Sequence, residues 1–198
     1  TSKVQEKVQG ILKETGRNKI NIIDPNNFFR YKKYGSGERV SFGQVNLYRG
    51  DAFYAPADAI IVSTNTVGVM ADPKKVLTGK GGLAGTYRLK CPLGYLHFKK
   101  LCSNGSIKIG KPAVVDFYDF APVSDITSIE ENDLLQRYHI YFPTKVRPSY
   151  YEKSTVEGIR DGLICLIKQL SNLPIKTISM PALGCGLGEL SFENDVLP

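Results

Sequence analysis

The sequence predicts a layered α/β domain in which strands and helices alternate around a central mixed, largely parallel sheet. Three observations predict it. Residues 59–62, Ala-Ile-Ile-Val, form the short continuous apolar run that a central strand needs when both its faces are covered. Residues 155–170 carry one apolar stripe at helical spacing. Strand-like and helix-like segments follow one another with no internal repeat, low-complexity tract or linker between them. At 198 residues, 42% hydrophobic and 23% charged, the chain is long enough for one domain with a substantial core.

Taken in order, Val4, Val8, Ile11 and Leu12 have the spacing of a helix over 4–14 that Gly16 ends, and 19–23 reads as a short strand. Residues 24–37, rich in Asn, Lys and Gly, read as a loop. Val40, Phe42, Val45 and Leu47 alternate with a slip at Gly43, which predicts a bulged strand over 39–48. Beyond the central strand, 93–102 reads as helix, 113–118 as strand, 123–133 as an irregular acidic stretch and 138–142 as strand. In the helix over 155–170, Ser154 is the expected N-cap with Glu157 three residues on, and Val156, Ile159, Leu163, Ile167 and Leu170 form the stripe. Asn172-Leu173-Pro174 ends that helix, and a strand is expected over 175–180. This divides the chain into an N-terminal helix-and-strand extension, 1–37, packed on a main domain, 38–198. The absent initiator Met, and a stop at Val196-Leu197-Pro198 where a helix begins, lead us to expect a piece of a longer protein truncated at that helix.

Composition limits the function classes. No apolar run approaches the roughly 20 residues of a membrane-spanning helix, and the first residues are too polar for a signal peptide, so a soluble protein with no membrane partner is expected. Cys91, Cys102, Cys165 and Cys185 make no CxxC pair and only His97 and His139 could add imidazole ligands, so no zinc site and a reducing cytoplasm are expected. The net charge of +7, with doublets Lys32-Lys33, Lys74-Lys75 and Lys99-Lys100, suits approach to a polyanion such as nucleic acid. It suits an ordinary solvated surface equally well.

In open α/β sheets ligands sit beyond the carboxyl ends of strands, so the loops leaving strands are the places to look. The first runs from Ser63 through Asn65-Thr66-Val67-Gly68-Val69-Met70 and, after residues 71–78, reaches Gly79-Lys80-Gly81-Gly82. Glycines let backbone N–H groups approach an anion, and a following helix adds its positive end. Gly79-Lys80-Gly81 also opens a GxGxxA pattern, but no strand precedes it. The second loop, Pro181-Ala182-Leu183-Gly184-Cys185-Gly186-Leu187-Gly188-Glu189, has three glycines at alternate positions. It is either a backbone cradle for a pyrophosphate or a turn that needs positive φ. Cys185 inside it reads as a small residue tolerated beside phosphates, since no histidine is near in sequence to activate a thiol. The third loop follows Tyr141-Phe142-Pro143-Thr144-Lys145, where a lysine at a strand's end is aimed into the cleft or is one more surface lysine.

Gly50-Asp51, Asn65 to Met70, Gly79-Lys80-Gly81, Phe142-Pro143-Thr144-Lys145 and Pro181 to Gly188, in this order, resemble the macrodomain family over roughly residues 45–196. Within it they are most like the DarG antitoxin branch, with terminal ADP-ribose protein glycohydrolase more distant. The resemblance implies a three-layer α/β/α fold and a cleft for ADP-ribose. It implies that Asp51 accepts from the adenine amino group and Asn65 faces the distal ribose. Backbone of Thr66, Gly68, Val69 and Met70, together with Lys80 and Gly81, would line the diphosphate site. Pro181, Leu183, Gly184, Cys185, Gly186, Leu187 and Gly188 would close it. Lys145 matches the lysine on which catalysis depends in the DarG branch, where it either attacks the anomeric carbon or supports a developing oxocarbenium ion.

The match has departures. Residues 71–78 are inserted in the loop that should cover the distal ribose. Gly188 stands where terminal ADP-ribose protein glycohydrolase has aspartate and DarG proteins have glycine, with Glu189 as an alternative carboxylate. Phe192 replaces a usual tryptophan. The implied activity is hydrolysis of the glycosidic bond between ADP-ribose and a macromolecule, ADP-ribosylated DNA in the DarG branch, without metal or cofactor. Single-stranded DNA and a cognate ADP-ribosyltransferase toxin are the implied partners. Two other readings use the same pocket: a module that reads or sequesters ADP-ribose, and a phosphatase acting on ADP-ribose phosphate.

Overall fold

The structure, a computed structural model, describes residues 52–55, 57–78, 81–120, 136–148 and 151–191. The chain divides into two compact units, Thr1–Ala55 and Pro56–Pro198. In the first, the described part is a 3-10 turn, Ala52–Tyr54. The helix expected at 4–14, the strands at 19–23 and 39–48, the acidic stretch at 123–133, and Asp51, Lys80 and Phe192 all lie outside the described residues.

The second unit contains β1 (Ala59–Asn65), α1 (Pro73–Leu77), α2 (Gly82–Lys90), α3 (Pro92–Ser103), β2 (Ala113–Asp116), α4 (Phe117–Phe120), β3 (Tyr138–Lys145), α5 (Val156–Leu170) and β4 (Ile178–Ser179). The sheet order is β2-β3-β1-β4. β1 runs parallel to β3 and β4, and β2 runs antiparallel to β3, so the sheet is mixed with a parallel centre, as expected. Side chains alternate across a strand. Tyr138, Ile140 and Phe142 of β3 therefore join Ala59 and Ile61 in a core closed by Ile159 and Leu166 of α5 and by Leu183. On the opposite face, His139 and Tyr141 meet Tyr87 of α2 edge-on, and Tyr141 also meets Phe98 of α3. Three layers result.

The second face is polar at its centre yet closed to water. Tyr141 Oη donates to the Gly94 carbonyl at 2.7 Å, while Tyr87 Oη lies 3.0 Å from Tyr141 Oη and 2.7 Å from His139 Nδ1. Burial holds the His139 imidazole neutral, with its pKa depressed to about 4, and pushes the Cys91 thiol beside Tyr87 up to about 11. A Cβ on Gly94 would collide with the Tyr87 hydroxyl and come within 2.7 Å of Cys91 Sγ, so α3 can approach this network only through a glycine.

Three elements, β2, β4 and α5, differ from the sequence expectation. The strand expected over 113–118 stops at Asp116, whose carboxylate accepts from Tyr118 N at 3.1 Å and turns the chain into α4. The strand expected over 175–180 pairs only at Ile178–Ser179, because Lys176 N and Thr177 N donate to the Asp58 carboxylate instead of to a ladder. The cap of α5 is Thr155, not Ser154: Thr155 has extended backbone and its side chain accepts from Gly158 N. The buried stripe of α5 runs through Ile159, Gly162 and Leu166 with Leu163 and Leu170 beside it, leaving Val156 and Ile167 exposed.

Candidate functional site

The strands β1 and β3 end together, with Asn65 in register with Lys145 across a bulge at Thr64/Asn65. Both side chains are buried, Lys145 to 6% exposure. A lysine buried to that degree at a strand's exit is unusual, because the ammonium is normally carried into water by its flexible stem. Of the two readings of this residue, a surface lysine is therefore the one the structure removes.

Asn65 shapes the loop that follows it. Its side-chain oxygen accepts from Val67 N at 3.1 Å and Val69 N at 3.2 Å, and its nitrogen donates to Val69 O. The loop is thus folded around one amide, with Gly68 at φ +74° and Met70 buried. A Cβ at Gly68 would lie 3.3 Å from Cys102 Cβ of α3, and Cys102 Sγ donates to Asn65 O. Burial raises the Cys102 thiol above its ordinary range, with the Gly68 amide opposing it. Arg88 of α2 donates to Met70 O at 3.2 Å while its guanidinium stacks over Tyr95. The Asn65 amide, expected to face a ribose, is engaged by its own loop.

The inserted residues 71–78 are ordered as α1. Asp72 caps it, accepting from Lys74 N at 2.8 Å, and Pro73 starts it. A Cβ on Gly81 would collide with Val76 of α1, and one on Gly85 would come within 2.9 Å of the same side chain, so α1 seats on the start of α2.

The loop after β3 is tied on both sides. Thr66 N and Thr66 Oγ1 both donate to Val146 O at 3.2 Å, joining it to the loop after β1. The Glu152 carboxylate accepts from Val146 N at 2.7 Å and Arg147 N at 2.9 Å, which fixes the backbone directly after Lys145. Ser154 N donates to Gly188 O at 3.1 Å, joining the same segment to the glycine loop.

The glycine loop itself is a pair of turns, closed by Cys185 N on Ala182 O at 3.3 Å, Glu189 N on Gly186 O at 3.0 Å and Leu190 N on Gly184 O at 3.1 Å. Gly184 has φ +76°, and a Cβ there would come within 2.7 Å of Leu190 and 2.9 Å of Ile159. A Cβ at Gly188 would collide with the Gly184 carbonyl oxygen and the Ser154 hydroxyl. An aspartate at Gly188 is therefore incompatible with this turn. Glu189, the alternative carboxylate, pairs with Lys153 at 3.0 Å. Leu183 is buried under the loop, while Gly186 and Leu187 are exposed on it and Pro181 and Cys185 are half-buried.

The structure thus brings Asn65, Thr66, Gly68, Val69, Met70, Lys145 and the segment 181–188 into one hydrogen-bonded set of loops, with Gly81 at the start of α2. Sequence reasoning missed Glu152, Cys102 and Arg88. Arg88 and Cys102 act through backbone atoms 18 and 37 residues away, and Glu152 through amides five and six residues away that no local motif marks. Among the described residues no group of three or more His, Cys, Asp or Glu side chains could hold a metal ion, and no helix is long and apolar enough to cross a membrane.

A mixed sheet between two helical layers, with glycine turns at the exits of its parallel strands, defines the macrodomain class of α/β proteins. No family model matches the chain. A DNA ADP-ribosyl transferase-DNA ADP-ribosyl glycohydrolase fusion protein of Thermosipho africanus is 32% identical over 154 residues, covering 75% of this chain and 36% of the relative. A DNA ADP-ribosyl glycohydrolase of Thermus aquaticus is 32% identical over 148 residues, covering 75% and 34%. The chain thus spans about a third of the length of these curated relatives. Among solved structures, the macrodomain of Mycobacterium tuberculosis DarG superposes with a TM-score of 0.56 at 29% identity, covering 73% of this chain and 80% of that one. Thermosipho africanus DarTG in complex with ADP-ribose superposes with a TM-score of 0.59 at 28% identity, covering 75% and 35%. The chain has the macrodomain fold and is similar to the DarG macrodomains.

Proposed function

We propose that this chain binds ADP-ribose through its diphosphate and hydrolyses the glycosidic bond joining ADP-ribose to a modified macromolecule, ADP-ribosylated DNA above all. The observation that carries the reading is the lacing together of three strand-exit loops, one of which leaves β3 at the buried Lys145: Thr66 to Val146, Glu152 to Val146 and Arg147, and Ser154 to Gly188. Two glycine turns held that way suit a diphosphate, and Lys145 stands at the end of β3, which flanks β1 on the side away from β4. The names of the relatives, which specify DNA ADP-ribosyl glycohydrolase, support the choice of reaction and substrate. The net charge of +7 suits a DNA strand.

In this reading Asp51 takes the adenine amino group, and the backbone of Gly68 to Met70 and of Gly184 to Gly188 holds the diphosphate. Lys80 and Gly81 are assigned to the same ligand site. The Asn65 amide organises the first turn and meets the distal ribose only by exchanging a bond to Val69. Lys145 acts at the anomeric carbon in one of two ways. Neutral, it attacks the carbon as the glycosidic bond breaks, its proton passing to the leaving group, and water then displaces the amine to free ADP-ribose; as a cation, it donates its proton to the leaving group while the oxocarbenium ion takes water. Only the first passes through a covalent lysine adduct, so mass spectrometry of the quenched reaction separates them. The Thermosipho fusion, where both activities stand in one name, supports a cognate ADP-ribosyltransferase as partner. A reducing, cytoplasmic setting suits four cysteines of which none is in a disulfide. We assign residues 38–198 to the macrodomain and 1–37 to an extension.

The test is release of free ADP-ribose from ADP-ribosylated single-stranded DNA and from ADP-ribosylated protein. Release from the DNA is expected. Release from neither would favour a reading module, to which the engaged Asn65 amide and the ordered α1 would then belong. Phosphate release from ADP-ribose phosphate would instead mark a phosphatase.

A further inference from the structure

Ser154 immediately precedes the cap of α5, and its role is not accounted for by that helix. Thr155 is the cap. Ser154 is buried to 4% exposure and its hydroxyl has no hydrogen-bond partner among the described residues. A buried hydroxyl left in that state opposes folding, and alanine would fill the same space without the penalty.

Ser154 N donates to Gly188 O at 3.1 Å, and Ser154 Cβ would lie 3.2 Å from a Cβ on Gly184. A Cβ on Gly188 would collide with both the Ser154 hydroxyl and the Gly184 carbonyl oxygen, so these two groups border the same space, which glycine leaves open. The Gly184 carbonyl shares its peptide with Cys185 N–H, and in a trans peptide the two point in opposite directions. A hydrogen bond that draws this carbonyl toward Ser154 therefore aims the Cys185 N–H the other way. That N–H now makes a long 3.3 Å bond to Ala182 O, the weakest of the bonds closing the loop.

We propose that Ser154 is a positioning residue for the 184–188 turn, its hydroxyl donating to the Gly184 carbonyl only when Cys185 N–H leaves Ala182 for the diphosphate. The inference rests on reading this turn as the diphosphate cradle. It gives the Ser154 hydroxyl a partner, and it predicts effects of opposite sign on stability and on binding.

The experiment compares wild type with Ser154→Ala by thermal melting and by calorimetric titration with ADP-ribose, and follows hydrogen exchange at the Cys185 amide. The variant should melt at the same or a higher temperature yet bind ADP-ribose about tenfold more weakly, the loss of one hydrogen bond made only in the complex. ADP-ribose should slow exchange at Cys185 in wild type and leave it nearly unchanged in the variant. Equal affinities would overturn the proposal, and so would a variant that loses stability and affinity together, since that is what a packing role does. If wild type itself takes up no ADP-ribose, the functional reading falls and this inference with it. If wild type binds and Ser154→Ala binds alike, only the inference falls.

Discussion

Lys145 and Gly188 are the two residues at which the chemistry and the cradle can be separated by a single change. Replacing Lys145 by Ala should lower ADP-ribose release at least about 100-fold, the usual scale for removing a nucleophile or proton donor, while calorimetry shows ADP-ribose affinity nearly unchanged. Parallel losses in both would mean that Lys145 holds the turns and takes no part in the reaction. Gly188→Ala does the reverse. The added methyl collides with the Gly184 carbonyl, so the turn must open, at about 1–3 kcal/mol in urea unfolding and at least a tenfold loss of ADP-ribose affinity. At this scale the sequence was informative wherever a residue type implies a backbone state, as with Gly68 and Gly184, both at positive φ. It was silent on Asn65, whose amide is used by its own loop, and on Ser154, because which of two adjacent hydroxyls caps a helix depends on backbone angles that Ser154-Thr155 does not reveal.

The elements were legible to the extent that their cause is local. The apolar run at 59–62 and the stripe of α5 found their strand and helix, although β1 continues through the polar Ser63, Thr64 and Asn65 because β3 pairs with it along its whole length. The phase of α5 was misjudged because Gly162 carries no apolar signal, yet it is the point where the helix lies on Phe142. β4 shrank to two residues because Asp58, far away in sequence, takes the amides of Lys176 and Thr177. Those bonds, the one from Lys176 N first, hold the Asp58 carboxyl below its usual range. A depressed carboxylate contributes stability above its unfolded pKa of about 3.9 and loses it as pH falls through the folded value. The difference in urea midpoint between wild type and Asp58→Ala should accordingly be present at pH 7 and vanish in strong acid. An unchanged difference at both ends would show that Asp58 acts by packing alone.

At the scale of the whole molecule, the layered sheet follows from alternation and the site from where parallel strands end, and both were visible before any coordinate. What joins the three loops was not, since Thr66 to Val146 and Ser154 to Gly188 are contacts between segments that periodicity treats separately. The excess of 26 basic over 19 acidic side chains acts at this scale too. Attraction to a DNA strand releases counterions, so KM for ADP-ribosylated DNA should rise steeply with salt while affinity for free ADP-ribose changes little. Equal salt dependence of the two would remove DNA from the account. The claim beneath all of this is that turns 68–70 and 184–188 form one cradle with Lys145 at its sugar end, and a crystal structure with ADP-ribose bound measures it directly. The account predicts the diphosphate within hydrogen-bonding distance of amides from both turns and the distal ribose beside Lys145; a nucleotide bound elsewhere, or held by one turn alone, would contradict it.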